Sequence, residues 1–202
     1  AGHSAQAAVK SVHQLLIAGY RDVVDADLSG YFDSIPHAEL MQCVARRVSD
    51  KAVLRLIKTW LVAPVEEKGY RGRIHRTTRN KDEGRGSPQG SPISPLLANL
   101  YMRRFVLGWK TLGHQQRFQA RIVNYADDFV ICCRGTATVA AAAMRAMMGR
   151  LKLTVNEKKT RLVTLPEERF DFLGYTVGWF YGYRGRPYWG TAPSMKSIKR
   201  VR

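Results

Sequence analysis

One stretch constrains this chain more than any other: Val-Asn-Tyr-Ala-Asp-Asp-Phe-Val-Ile-Cys, residues 123–132. Val123, Phe129, Val130, Ile131 and Cys132 belong in a core, whereas Asp127 and Asp128 do not. Burying an unpaired carboxylate is costly, or forces it to take up a proton. Apolar runs on both sides of the acids predict strand, turn, strand, with the pair at the tip of a β-hairpin. A plain solvated turn fits the same residues, since Asp is common in turns. The pair gains meaning from what else reaches it.

A second acid-bearing segment lies upstream. Residues 21–29 alternate as a strand does, with Val23, Asp25 and Asp27 on one face and Val24, Ala26 and Leu28 on the other. Laid beside the hairpin, this strand brings Asp27 to Asp127 and Asp128. Three carboxylates a few ångströms apart repel strongly in a partly dry site. A divalent cation removes the conflict. Mg²⁺ suits best, with Mn²⁺ as a substitute, because it takes oxygen ligands and binds through carboxylates together with substrate phosphates. Two such ions would activate an attacking 3′-hydroxyl and stabilise a leaving pyrophosphate.

Charge points the same way. Lys and Arg number 33 against 16 Asp and Glu, a formal net charge of +17. Such an excess calls for a polyanion, with nucleic acid first, or else for a solvated basic surface. Cys43, Cys132 and Cys133 are odd in number and lack metal-type spacing, which predicts buried reduced thiols and a cytoplasmic setting. No apolar run is long enough to span a membrane. The opening has neither an initiator Met nor a signal peptide, and the end stops without a finishing element, so the chain reads as a piece of something longer.

The remaining text predicts an α+β fold around an antiparallel sheet. Ser4 caps an amphipathic helix closed by Gly19. Pro36 opens a helix running to about Val48, and a second helix fits 50–61. Residues 65–78 read as a hairpin, and Asn80–Pro95 as loop. Ser94 and Pro95 start a helix whose buried side holds Leu96, Leu97, Leu100, Tyr101 and Phe105. Val139, Ala143, Met147 and Leu151 stack at four-residue spacing on a further helix, with the methionines as ordinary core. The last aromatic and glycine-rich segment predicts two or three short strands with tight turns.

Five ordered blocks carry a resemblance: "DADLSGYFDSIPH", "GSPQGSPISPLLANLYM", "YADD", "LKLTVNEKKT" and "FLGYTVG". Together they closely resemble the reverse transcriptases of bacterial group II introns, the intron-encoded reverse transcriptase/maturase proteins, over almost the whole chain. The resemblance implies an RRM-like (ferredoxin-like) polymerase palm plus part of the fingers. It places fingers and finger–palm elements at 1–20 and 50–95, palm at 21–49 and 96–190, and the start of a connection to a thumb at 191–202. It implies an RNA-directed DNA polymerase that adds dNTPs to a primer 3′-hydroxyl, used in retrohoming. The partners implied are an RNA template, a DNA or RNA primer, and its own intron RNA, with no membrane. The alternative is an RNA-binding, maturase-like palm module with little or no polymerase activity. Because the resemblance expects nucleotide-gripping fingers strands before residue 1 and a thumb after Arg202, the chain alone is expected to be weak or inactive.

Carried over by position, Asp27, Asp127 and Asp128 are the metal-binding carboxylates, and the Leu28 carbonyl is a further ligand. Asp25 is a neighbouring structural acid. Phe32 is the aromatic steric gate against a ribose 2′-hydroxyl, or plain core. Gly30 and Tyr31 offer backbone N–H groups to the triphosphate. Gln89 and Gly90 pack against the incoming nucleotide and template base, or form only a Pro/Gly loop. Lys159 lies near the triphosphate, or is a solvated surface lysine. Residues 172–175 are the primer grip, or a strand with a bend. Trp179, Phe180, Tyr181, Tyr183, Tyr188 and Trp189, interleaved with Arg184 and Arg186, either stack on bases or fill the core between the sheet and its neighbour.

Overall fold

The structure is a computed structural model that describes residues 4–68, 74–87 and 90–201. Its chain divides into two compact units: 1–27, 106–147 and 155–202 form one, and 28–105 with 148–154 form the other.

The first unit is built on a four-stranded antiparallel sheet. Its strands are β1 (Asp22–Ala26), β4 (Ala120–Tyr125), β5 (Asp128–Cys133) and β6 (Arg161–Thr164), in the order β4-β5-β1-β6. β5 is apolar along almost its whole length, and Phe129 to Cys133 are all buried, as expected of an inner strand covered on both faces. β1 is also an inner strand, and Val23 and Val24 are fully buried on its opposite faces. α1 (Ala5–Ile17) starts where Ser4 Oγ accepts from the Ala7 N–H, and it buries Val9, Val12 and Leu16. Those residues join Val23, Val123, Val130, Cys132 and Val163 in one core cluster.

The same cluster takes in Phe170, Phe172 and Val177 from a second sheet. That sheet is β7 (Phe170–Phe172), β8 (Tyr175–Tyr181) and β9 (Pro187–Pro193), antiparallel in the order β7-β8-β9. The sequence expects two or three short strands here, and there are three. Of the tail rings, Trp189 packs against the core, whereas Tyr181, Tyr183 and Tyr188 are exposed. All three cysteines are free and buried.

The second unit holds α2 (Tyr31–Ser34), α3 (His37–Ala45), α4 (Lys51–Val62), the hairpin β2 (Val65–Lys68) and β3 (Ile74–Thr77), and α5 (Arg79–Asp82). Asp50 caps α4 by accepting from the Ala52 and Val53 N–H groups. The expected loop after the hairpin is interrupted, because Arg79 to Asp82 make one helical turn tied by an Arg79–Glu83 ion pair of 2.6 Å. Two longer helices are α6 (Ser94–Thr111) and α8 (Ala137–Arg150), with the short α7 (His114–Arg117) between them in sequence. Leu97, Tyr101 and Phe105 of α6 are buried as expected, but Leu96 is 66% exposed. On α8 the buried side is rotated from the expected stripe: Ala140, Ala141, Met144, Met147 and Met148 are buried, while Val139 is 53% exposed. Alanine suits either side, with Ala142 exposed and Ala143 half-buried, so the large methionines decide which side turns inward. α9 (Met195–Val201) closes the described chain. Among the described residues no helix is long and apolar enough to cross a membrane.

Candidate active site

The hairpin β4–β5 forms as the sequence predicts. Tyr125 pairs with Asp128, so Ala126 and Asp127 alone make the tip. Ala126 sits at φ 54°, in the left-handed region that tight two-residue tips demand and that glycine enters more easily. Asp127 is at the exposed tip, and Asp128 is the first residue of β5.

β1 lies against β5 in the register Ala26↔Phe129 and Asp25↔Val130. Carried one residue past the strand end, that register sets Asp27 opposite Asp128. Residues directly opposite on antiparallel strands have Cβ atoms about 4.5–5.5 Å apart, and like charges there repel. The effect is visible on Asp128. Partial burial raises its pKa above the ordinary value of 3.8, and the charges of Asp127, Asp27 and Asp25 push it the same way. Asp27 itself is held by its backbone. Its N–H donates to Thr160 Oγ1 at 3.3 Å, and its carbonyl accepts from the Asn156 N–H at 2.8 Å.

These groups open on a cavity of about 550 Å³. Asp25, Asp27, Asp128 and Asp171 line it, facing Lys158, Lys159, Arg161 and Lys196. Lys159 Nζ is 3.5 Å from Asp27 Oδ2, and an Arg161 N–H donates to Asp25 Oδ2 at 3.2 Å. Burial raises the Asp25 pKa, the Arg161 hydrogen bond and charge oppose this, and Asp171 and Asp27 raise it further. Arg161, Asp171 and Lys196 are contributions that sequence reasoning missed. They sit on β6, β7 and α9; β6 reaches β1 by strand pairing, and β7 and α9 by tertiary packing.

Residues 172–175 border the same cavity through Phe172 and Leu173. Leu173 (φ 51°) and Gly174 (φ 83°) form the tight turn between β7 and β8. The Gly174 carbonyl accepts from the Ser194 N–H and from Ser197 Oγ, each at 2.9 Å.

The structure thus gathers Asp27, Asp128 and Lys159, with Asp25 beside them and Asp127 on the adjoining tip. Among the described residues, no group of three or more His, Cys, Asp or Glu side chains is drawn tightly enough to hold a metal ion by itself. The donor set still fits a hard cation. It is all oxygen, it is crowded by its own charge, and it already attracts the Lys159 ammonium.

The other sequence candidates belong to the second unit. Gly30 (φ 51°) precedes α2, and Tyr31 is buried with its hydroxyl donating to the Ala98 carbonyl at 2.6 Å. Leu28 and Phe32 are half-buried, and the Phe32 carbonyl accepts from the Ser87 N–H at 2.8 Å. Gly86 donates to the Ile35 carbonyl at 2.8 Å, and its own carbonyl meets His37 Nε2 at 2.7 Å. Gly90 is exposed at φ 87°. Gln89 lies outside the described residues.

Known proteins share this pattern. Residues 2–177 match the family described as Reverse transcriptase (RNA-dependent DNA polymerase), a match that ends within β8. Protein YkfC of Escherichia coli is 30% identical over 189 residues, covering 78% of this chain and 47% of its own length. The group II intron-encoded protein LtrA of Lactococcus lactis is 24% identical, covering 79% of this chain and 35% of its own. The chain therefore spans about half or less of these relatives. Among solved structures, apo telomerase from Candida tropicalis truncated from its C-terminal domain superposes with a TM-score of 0.61 at 14% identity, over 92% of this chain and 39% of that one. Telomerase from Candida albicans, in complex with a fragment of telomeric RNA, superposes with a TM-score of 0.63 at 15% identity, over 87% and 34%. That likeness shows the shared fold, an α+β arrangement of antiparallel sheets consistent with a polymerase palm and fingers. With the family pattern matched over most of its length, the chain belongs to the reverse transcriptase (RNA-dependent DNA polymerase) family.

Proposed function

We propose that this chain carries the active site of an RNA-directed DNA polymerase of the group II intron type, acting in retrohoming. One observation supports this above the others: Asp27 and Asp128 line one cavity that also holds four cationic side chains. Asp27, Asp127 and Asp128 would hold two Mg²⁺ ions, with the carbonyl of Leu28 as a further ligand by the resemblance. Bound there, the ions would activate the primer 3′-hydroxyl and offset charge on the leaving pyrophosphate. Lys159 would release Asp27 and offer its proton to the departing phosphate. Lys158, Arg161 and Lys196 would neutralise phosphates entering the cavity. The turn at Leu173 and Gly174 would bear on the primer end.

The test is RNA-templated primer extension with deoxynucleotides and Mg²⁺. It is run on this chain and on the protein at its natural length, each beside an Asp127→Ala variant. Extension lost in the variant, with RNA affinity unchanged, is the expected result. Extension that survives Asp127→Ala would overturn the assignment. A second reading, an RNA-binding module of maturase type, draws on the net charge of +17. It predicts tight RNA binding and no extension by either length of protein.

A further inference from the structure

The β8–β9 hairpin carries chemistry that the cavity does not use. Beyond Val177 its strands pair Trp179 with Trp189, Phe180 with Tyr188 and Tyr181 with Pro187. Side chains alternate between faces along each strand, so the pairing fixes which residues lie together. Trp179 and Trp189 share the inner face, with ring centroids 4.5 Å apart, and Trp189 packs on the core. Phe180 and Tyr188 share the outer face with Gly178 and Gly190.

Two positions on the outer face carry no side chain, and neighbouring side chains cover both. A Cβ on Gly190 would lie 2.7 Å from Tyr188 Cε2 and 3.0 Å from Phe180 Cδ2, so both rings lean over this glycine. A Cβ on Gly178 would lie 2.7 Å from Arg169 Cγ, so the arginine stem crosses it. The result is a tier. The Arg169 guanidinium sits 4.4 Å from the Phe180 centroid, and the Phe180 and Tyr188 rings are 6.2 Å apart at an interplanar angle of 34°.

The tip extends the tier. Tyr183 is 90% exposed, and the Arg184 guanidinium lies 5.7 Å from its ring. The turn is tied by the Gly182 N–H donating to the Arg186 carbonyl at 2.8 Å. This ring therefore stands on an ordered loop and needs little ordering to be used. Charge selects the partner. From Phe172 to Arg202 the chain has Arg184, Arg186, Lys196, Lys199, Arg200 and Arg202, and no Asp or Glu. Exposed rings suit unstacked bases, guanidinium groups suit phosphates, and phenolic hydroxyls can meet a ribose 2′-hydroxyl.

We infer that this outer face is a second nucleic-acid site, which takes an unpaired stretch of RNA. Bases stack on Tyr188 and Tyr183, with Phe180 supporting Tyr188 from beneath Arg169, while the backbone runs along Arg169, Arg184 and Arg186. None of these residues lines the carboxylate cavity, and the site does not depend on polymerase activity.

The experiment measures binding of a short, unstructured, fluorescently labelled RNA to the chain across a salt series. Tyr183→Ala and Tyr188→Ala should each weaken it about five- to tenfold, the loss of one stacked base. The slope of log affinity against log salt should stay unchanged. Arg184→Ala with Arg186→Ala should instead flatten that slope by about 0.7 per charge removed. Hairpin RNA of the same composition should bind both tyrosine variants as it binds the wild type. Asp127→Ala should bind the single strand normally, so loss of polymerisation and loss of this site are separate outcomes. Tyr183 is too exposed to disturb folding, which circular dichroism would verify. No loss with Tyr183→Ala and Tyr188→Ala, or an equal loss on base-paired RNA, would overturn the site. Equal binding and equal losses with single-stranded DNA would overturn the assignment to RNA.

Discussion

The Lys159 ammonium sits 3.5 Å from Asp27 Oδ2, within the cavity that also receives Asp128. Lys159 is exposed and Asp27 half-buried, so solvent screening holds the pair to at most about 1 kcal/mol of stability. Its weight is local: it places a positive charge where the proposed metal ion would bind.

Lys159→Ala is therefore expected to leave the melting temperature nearly unchanged and to tighten Mn²⁺ binding a few-fold, while slowing primer extension. Electron paramagnetic titration of Mn²⁺ reads the first effect and single-turnover extension the second. Weaker Mn²⁺ binding would mean that Lys159 helps to assemble the site rather than to occupy it.

The raised pKa values of Asp128 and Asp25 give a pH prediction. A carboxyl whose folded pKa is raised destabilises the fold while it is charged, so its penalty is relieved as pH falls through that raised value. Glu39, lowered first by its Lys152 hydrogen bond, and Glu157, lowered first by Arg145, act the other way. Their contribution is present above the ordinary value of 4.5 and is lost below it. Without metal, thermal stability should thus rise on mild acidification from neutral pH before it falls. At neutral pH, Asp128→Asn should raise the metal-free melting temperature. Screening at this exposed position caps the gain at about 1 kcal/mol, or roughly 2–4 °C. Mg²⁺ should stabilise the wild type and fail to stabilise the variant. Differential scanning fluorimetry across pH and Mg²⁺ checks each part, and a lowered melting temperature in the variant would contradict the crowding.

Gly86 is buried at φ 95°, and a Cβ there would lie 3.2 Å from the Asp33 carbonyl oxygen. Gly86→Ala meets both backbone strain and a backbone neighbour that has no rotamer to escape into. A loss of roughly 1–3 kcal/mol is expected from urea unfolding. A neutral result would show that the 84–87 segment can move away from 33–35.

Phe32 is half-buried and in edge contact with the Tyr31 ring, with centroids 5.8 Å apart. If it is the gate that the family resemblance makes it, Phe32→Ala should leave dNTP use largely intact and raise ribonucleotide incorporation at least tenfold, about 1.4 kcal/mol of lost discrimination. Competitive incorporation on an RNA template measures this. Unchanged sugar selectivity would return Phe32 to the core.

The acids that matter were legible because they break a pattern. Asp127 and Asp128 interrupt an apolar run, and Asp25 and Asp27 sit at alternate positions of a strand. The Ser4 cap and the tail strands were legible for similar local reasons. β6 was not, because Val163 is the only buried residue among its four, and an edge strand with one inward side chain has no periodicity to read. The α5 turn was hidden in charged, loop-like text that gains a helical turn through Thr78–Asp82 and Arg79–Glu83 contacts. The burial of α8 was misjudged by one position, since a run of alanines leaves the helix rotation to tertiary packing. Asp171 and Lys196 reach the cavity only through tertiary packing of a second sheet and a terminal helix, which no local window contains.

β1 is hydrogen-bonded to β5 on one side and β6 on the other, and its last residues deliver Asp25 and Asp27 to a single face. A strand so enclosed tolerates exchange of letters far better than a change in their number. Inserting or deleting one residue between Asp22 and Asp27 would slip the register by one and turn the acids toward the opposite, packed face. Length, at this point in the chain, is as much a part of the site as the aspartates themselves.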